Sequence, residues 1–192
     1  VAKPSFTASL KLKDVYGGQT VPSNYTLVAF PLSKSFDEGR GFDIISYFDL
    51  DSANFQSASF GVTWSLTGAN SLGTMGDPVD VVVSGDLGSG LENLGTYQTF
   101  TRGDEDGLFD VTRIVSASVA GILPNHGFRI SFVEAQERDG VTRFVKRFGS
   151  RHTFNTTLRP KLATEFNTQT LDTSGDPYFG ISQSFFTYNT VN

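Results

Sequence analysis

Asp110–Phe166 reads DVTRIVSASVAGILPNHGFRISFVEAQERDGVTRFVKRFGSRHTFNTTLRPKLATEF, and the fold is decided here. Asp110 has the chemistry of a helix N-cap, and Ile114, Val115 and Val119 recur at helical spacing, so a short helix is predicted over 111–120. Gly121 stops it, and Pro124 follows at the distance expected past a helix end. Strands are predicted at Phe128–Val133 (FRISFV), Val141–Phe148 and Lys161–Phe166. A short helix set among strands, with no catalytic grouping between them, argues for a protein that binds or builds rather than one that catalyses.

Upstream, Ser5–Leu12 (SFTASLKL) alternates with period two and puts Phe6, Ala8, Leu10 and Leu12 on one face. Tyr25–Leu32 (YTLVAFPL) reads as a second strand. The turn residues Gly17-Gly18 and Pro22-Ser23-Asn24 between them predict a hairpin. Residues 33–55 read as a long ordered loop, of a length usually reserved for function or self-packing. Ala58–Leu66, Val79–Ser84 and Thr96–Thr101 read as strands, and 67–78 as loop. The last 20 or so residues are polar and rich in Gly and Ser, with a late strand at Ser184–Tyr188 (SFFTY). Many short strands with one short helix predict an all-β sandwich or barrel, and a single domain over 1–192 with an irregular C-terminal extension at 167–192.

The 192 residues suffice to bury a real core, since a chain of this size hides roughly 70% of its unfolded surface. With Phe 18 against Trp 1 and Met 1, phenylalanine must fill most of it. Cys 0 excludes disulfides, thiolate zinc sites, iron–sulfur clusters and cysteine nucleophiles together, and suits assembly in the cytosol. A formal charge of −5, from 15 basic and 20 acidic residues, opposes a broad phosphate-binding face, so nucleic acid is not an expected partner. No apolar run approaches the roughly 20 residues that span a bilayer, and no secretory leader is visible. Val1 in place of Met is read as a processed or trimmed start.

Two sets of residues resemble known families. The first is Asp110-Val111-Thr112, Ala120-Gly121, Asn125-His126-Gly127-Phe128, Ser150-Arg151 and Arg159-Pro160-Lys161-Leu162. This set resembles the disaggregatase-related (DNRLRE) domain family. The second is Phe30–Gly41 (FPLSKSFDEGRG) and Val145–His152 (VKRFGSRH), which are similar to virion-associated proteins of tailed bacteriophages. The resemblance implies a carbohydrate-binding-module-like jelly-roll β-sandwich with a structural or surface role and no catalytic set. It also implies other virion proteins, of capsid or tail, as partners in a symmetric homo-oligomeric assembly made in the host cytoplasm. Glycan recognition is the alternative it implies, toward a host-surface or anionic polysaccharide.

Asp37, Glu38 and Asp43, with Asp49 and Asp51, form an acidic loop. Calcium takes such oxygen ligands, and a carboxylate pair could serve a hydrolase, but the spacing fits no EF-hand, and a solvated loop pairing with Arg40 is favoured. Asp104, Glu105 and Asp106, between Gly103 and Gly107, are a second weak calcium candidate, with an ordinary surface turn favoured. His126 and His152 lack metal-ligand spacing, and no nucleophile elbow is present. Arg143, Lys146 and Arg147 suggest a docking surface for an acidic neighbour or an anionic polysaccharide, while Arg151 and Arg159 are read as buried pairing residues, bonded to acids such as Asp110. Trp64, Tyr16, Tyr47 and Phe48 are the candidate sugar platforms; Trp64 and Phe6, Phe30, Phe128, Phe132, Phe144 and Phe148 are assigned to the core.

Overall fold

A computed structural model describes residues 6–15, 24–39, 52–137, 139–140 and 144–166. The strands are β1 (Phe6–Leu12), β2 (Tyr25–Pro31), β3 (Ser57–Ser59), β4 (Val62–Thr63), β5 (Leu72–Thr74), β6 (Val81–Asp86), β7 (Leu91–Asn93), β8 (Thr96–Phe100), β9 (Gly107–Asp110), β10 (Phe128–Phe132) and β11 (Lys161–Phe166). Among the described residues there are also two helices, α1 (Thr112–Val119) and α2 (Glu134–Glu137), and one 3-10 turn (Thr156–Leu158). The expected turn around 17–23, the strand at 184–188 and the extension at 167–192 lie outside the described residues. So do Tyr16, Arg40, Asp43, Tyr47, Phe48, Asp49, Asp51 and Arg143.

The fold is β-rich. Two antiparallel sheets carry it, in the orders β11-β1-β9 and β10-β2-β8; β3-β4 and β5-β6-β7 form smaller ones, and none closes among the described residues. β1 behaves as its alternation dictates: Ala8 and Leu12 are buried, and Phe6 and Leu10 pack against them. β2 is buried on both faces. Leu27 and Ala29 join the main core, while Val28 and Phe30 join a second cluster with Leu32, Ala69 and Val81. The expected β1–β2 hairpin does not form. Each is the central strand of its own sheet, with both edges taken by β9 and β11 or by β8 and β10. A strand buried this deeply must satisfy both rows of backbone groups, and distant partners do so.

Side chains join the two sheets along the β8–β9 edge. The Gln98 carboxamide accepts from the Leu108 N–H (2.5 Å) and donates to the Asp106 carbonyl (2.9 Å), as a neighbouring strand would. The Thr96 hydroxyl donates to the Asp110 carbonyl at 2.9 Å. Both sheets contribute to one core of Ala8, Leu12, Tyr25, Leu27, Ala29, Phe100 and Phe109, capped by Ile114 and Ala117 of α1. Tyr25 stacks on Phe100 with centroids 4.9 Å apart, and Phe132 and Phe144 meet Tyr25 edge-on. Of the phenylalanines assigned to the core, Phe30 is buried; Phe6, Phe128, Phe132, Phe144 and Phe148 are partly buried against it. Trp64 is half-buried on the second cluster and donates its indole N–H to the Asn54 carbonyl (2.8 Å).

α1 sits where the sequence places it, with differences at its start. Its N-cap is Val111, without a side-chain cap. The Asp110 carboxylate instead accepts from the Thr112 N–H (3.0 Å) and hydroxyl (2.6 Å), and the Thr112 hydroxyl oxygen accepts from the Ala8 N–H (2.9 Å), tying the helix to β1. Ile114 and Ala117 face inward, but Val119 is 83% exposed. Gly121 (φ 74°) ends the helix in a Schellman motif, its N–H on the Ser118 carbonyl and that of Ile122 on Ala117.

Other elements depart from expectation. The strand expected at 58–66 breaks at Phe60-Gly61 into β3 and β4, because Gly61 takes φ 71°. The expected loop at 67–78 holds β5, parallel to β6, and a second helix, α2, follows β10. Phe144–Phe148 is not a strand. Among the described residues it pairs with Lys13–Val15, past the end of β1, through one bridge, Asp14 to Phe148. Inward–outward alternation persists there nonetheless. Since Phe100 fills the centre of the shared core, Phe100→Ala is expected to destabilise the chain by about 3–5 kcal/mol, measured by urea denaturation.

Candidate functional site

The strongest polar node lies beneath the expected basic patch. Alternation along Phe144–Phe148 turns Lys146 inward with the two phenylalanines, so its side chain is only 2% exposed. The ammonium donates to Asp14 Oδ1 (2.5 Å) and to the carbonyls of Gly103 (2.8 Å) and Glu105 (2.9 Å). Three protons meet three acceptors, which a buried ammonium requires. The rings of Phe100 and Phe148 lie 5.2 and 5.4 Å from the nitrogen. Lys146 therefore leaves the docking surface expected of Arg143, Lys146 and Arg147, because its charge is spent internally. Arg147 is exposed.

The acidic turn folds around its own carboxylate. Glu105 Oε1 accepts from the Thr101 N–H and hydroxyl and from the Arg102 N–H, each at 2.9 Å, and Oε2 accepts from the Gly103 N–H (2.8 Å). Asp106 pairs with Lys13 (2.5 Å) and accepts from the Asp14 N–H (2.9 Å). Asp104 faces Arg102 at 3.5 Å, both exposed. The three calcium candidates of this turn thus address three different partners. Burial raises the Glu105 carboxyl, but hydrogen bonds from Arg102 and Thr101 outweigh it and hold it at about 2, below its ordinary 4.5. Burial, with the charges of Glu105 and Asp14, pushes the Tyr25 hydroxyl up to about 12.

The other candidates are dispersed. Asp37 Oδ1 accepts from the Gly39 N–H (2.9 Å), and its backbone is tied to Ala53 and Ala58. Glu38 pairs with Arg151, and His152 Nε2 stands 3.6 Å from the same carboxylate. Arg151 is 69% exposed and is not a buried partner of Asp110, whose carboxylate is occupied by Thr112. Arg159 is partly buried and donates to the Thr153 carbonyl (3.0 Å). His126 lies partly buried in the turn before β10. Among the described residues, no group of three or more acids and histidines is placed to hold a metal ion.

Two features escaped the sequence reading. Asp80 is fully buried and accepts from Lys34 Nζ (2.8 Å), the Ser65 N–H and hydroxyl (both 3.0 Å) and the Leu66 N–H (3.1 Å). Burial raises its carboxyl, and the bonds from Lys34, Ser65 and Leu66 bring it below the ordinary value. The second is a groove of about 490 Å³ on the face of the β10-β2-β8 sheet turned away from the main core. Tyr97, Val28 and Ser131 form one row across its floor, and Phe30 and Arg129 the next. Arg129 is largely buried and donates to the Gly68 carbonyl (3.4 Å), Ser131 (2.5 Å), Asn70 (2.5 Å) and Glu137 (3.2 Å). Tyr97 stands 53% exposed above Phe30, edge-on at 6.3 Å.

No protein-family model, no curated protein and no solved structure matches the chain.

Two outcomes follow from the polar node. Lys146→Met leaves Asp14 and the Glu105 carbonyl without their donor, and the Gly103 carbonyl with the Tyr25 hydroxyl at 3.4 Å, and is expected to cost about 3–5 kcal/mol. Arg147→Met, one residue on and exposed, should stay within about 0.5 kcal/mol; denaturant titration compares them. For Glu105, a folded pKa below the unfolded one means that the unfolded chain takes up the proton first. Its stabilisation is complete above about pH 4.5 and is lost as pH falls toward about 2. The gap in Tm between Glu105→Gln and the parent chain should therefore narrow over that window.

Proposed function

We propose that this chain is a non-enzymatic structural subunit of a tailed-bacteriophage virion. It would be a head-decoration, neck or tail-associated piece: a single jelly-roll domain over 1–192 that works by packing against capsid or tail partners in a symmetric assembly. What carries the reading is the β3–β4 hairpin. Phe60 at its tip is 80% exposed, and Phe55, Val62 and Leu66 beside it are exposed as well. Large apolar side chains exposed on and next to one short hairpin suit a surface that another protein covers. Two antiparallel sheets sharing one core, with partners far apart in sequence, support the jelly-roll assignment. A second reading, glycan recognition, is favoured by the exposed Tyr97 at the edge of the groove.

Mass spectrometry of density-banded particles tests the first reading. Stoichiometric peptides from this chain support it, and their absence from particles overturns it. Phe60→Ser should change stability by no more than about 0.5 kcal/mol yet lower incorporation into particles, measured as subunit copies per particle.

A further inference from the structure

The groove beside Tyr97 carries a ligand class of its own. We infer that it is a binding site for a neutral pyranose sugar, and that it does not take an anionic polysaccharide, one of the two glycans that the alternative reading allowed. This goes beyond the assembly reading and gives the glycan reading a place and a chemistry.

The size is that of a small-ligand site, since about 490 Å³ falls within the roughly 300–1,000 Å³ such sites occupy. A pyranose ring has a flat apolar C–H face and a rim of hydroxyls. Tyr97 supplies an exposed aromatic ring for the first, and it is held in place. Phe30 supports it edge-on, and the Asn93 amide donates to its hydroxyl at 3.5 Å. A ring fixed in advance loses little entropy on binding. For the hydroxyl rim, Ser131 and Glu137 line the same groove: Arg129 donates to the Ser131 oxygen, which leaves its proton to give, and to one Glu137 oxygen, which leaves the other to accept.

Charge selects the kind of sugar. Among the described lining residues, Arg129 is the single cation, against the carboxylates of Glu134 and Glu137. Arg129 is also engaged on four sides, with Gly68, Ser131, Asn70 and Glu137. The two-pronged donor edge with which an arginine grips a carboxylate or sulfate is thus in use. A uronate or sulfated sugar would find no guanidinium edge free to receive its charge. A neutral sugar meets no such penalty.

The test is a titration of the full chain, followed by amide chemical shifts, with cellobiose, maltose and N,N′-diacetylchitobiose, and with digalacturonic acid as the charged comparison. At least one neutral disaccharide should shift the amides of Tyr97, Asn93 and Ser131 with saturation in the millimolar range. Tyr97→Thr, which keeps strand propensity and removes the ring, should weaken that binding about tenfold, while Tyr97→Phe should retain it. The inference is overturned if no neutral disaccharide gives saturable shifts at these amides, if Tyr97→Thr binds as well as the parent chain, or if digalacturonic acid binds more tightly. A virion subunit without sugar affinity would still appear in banded particles, so the two readings fail separately.

Discussion

A buried ammonium ion has to find an acceptor for every proton it carries, and much of this fold is arranged around meeting that demand at Lys146. Its three acceptors come from two places far apart in the chain: Asp14, just past β1, and the carbonyls of Gly103 and Glu105, in the turn between β8 and β9. Lys146 itself rides on a segment that lacks regular strand pairing and is held to Lys13–Val15 by two backbone hydrogen bonds. One side chain thus fixes a turn and two irregular segments relative to each other. The turn can offer its carbonyls because its N–H groups are gathered onto the Glu105 carboxylate, which aims the oxygens the other way. Removing any member exposes the rest to an unpaired polar group, which costs more than the bond itself contributes.

The second node, Asp80, obeys the same rule with the charges exchanged. Here the carboxylate is fully buried, and the lysine that answers it, Lys34, is the more exposed partner. Asp80 precedes β6, and its donors lie just after β2 and β4, so it pins the smaller sheets to the end of β2, where Leu32 bridges Val81. Apolar burial supplies most of the driving force in both regions, but burial is indifferent to register. The two ionic nodes are not: each requires particular backbone groups at hydrogen-bonding distance, and so selects one docking of loops that apolar contact would leave loose.

What the sequence could show follows from this division. Strand existence was legible wherever one face is buried, because Phe6, Ala8, Leu10 and Leu12 announce that face themselves. The helix end at Gly121 was legible because the backbone there demands a residue tolerant of positive φ. Pairing was not legible. Phe6 meets Phe166 and Tyr25 meets Phe100, and nothing local distinguishes those partners from the adjacent strand. Lys146 was half-legible: its alternation with Phe144 and Phe148 put it on their face, yet charge suggested the surface, and only the acceptors brought from elsewhere decide the matter. Tyr97 was readable as a strand residue, but its groove is assembled from Asn70, Asn93, Arg129 and Glu137, four separate stretches of chain.

The phenylalanine content points the same way. Eighteen phenylalanines in a chain of this length invite assignment to a core, and many of them do serve one. Phe55, Phe60 and Phe154 do not, being well exposed among the described residues. Leaving such rings in water forgoes about 1.5–3 kcal/mol each relative to burial, so their exposure on a folded chain is a standing cost unless a neighbour covers them. Tyr97 differs in kind. It carries a hydroxyl already hydrogen-bonded and a ring already braced, so it is at ease in water and still able to stack. The two surfaces therefore suit different occupants. The β3–β4 hairpin suits an apolar protein face that stays in place once seated, and the groove suits a small polar ligand that comes and goes.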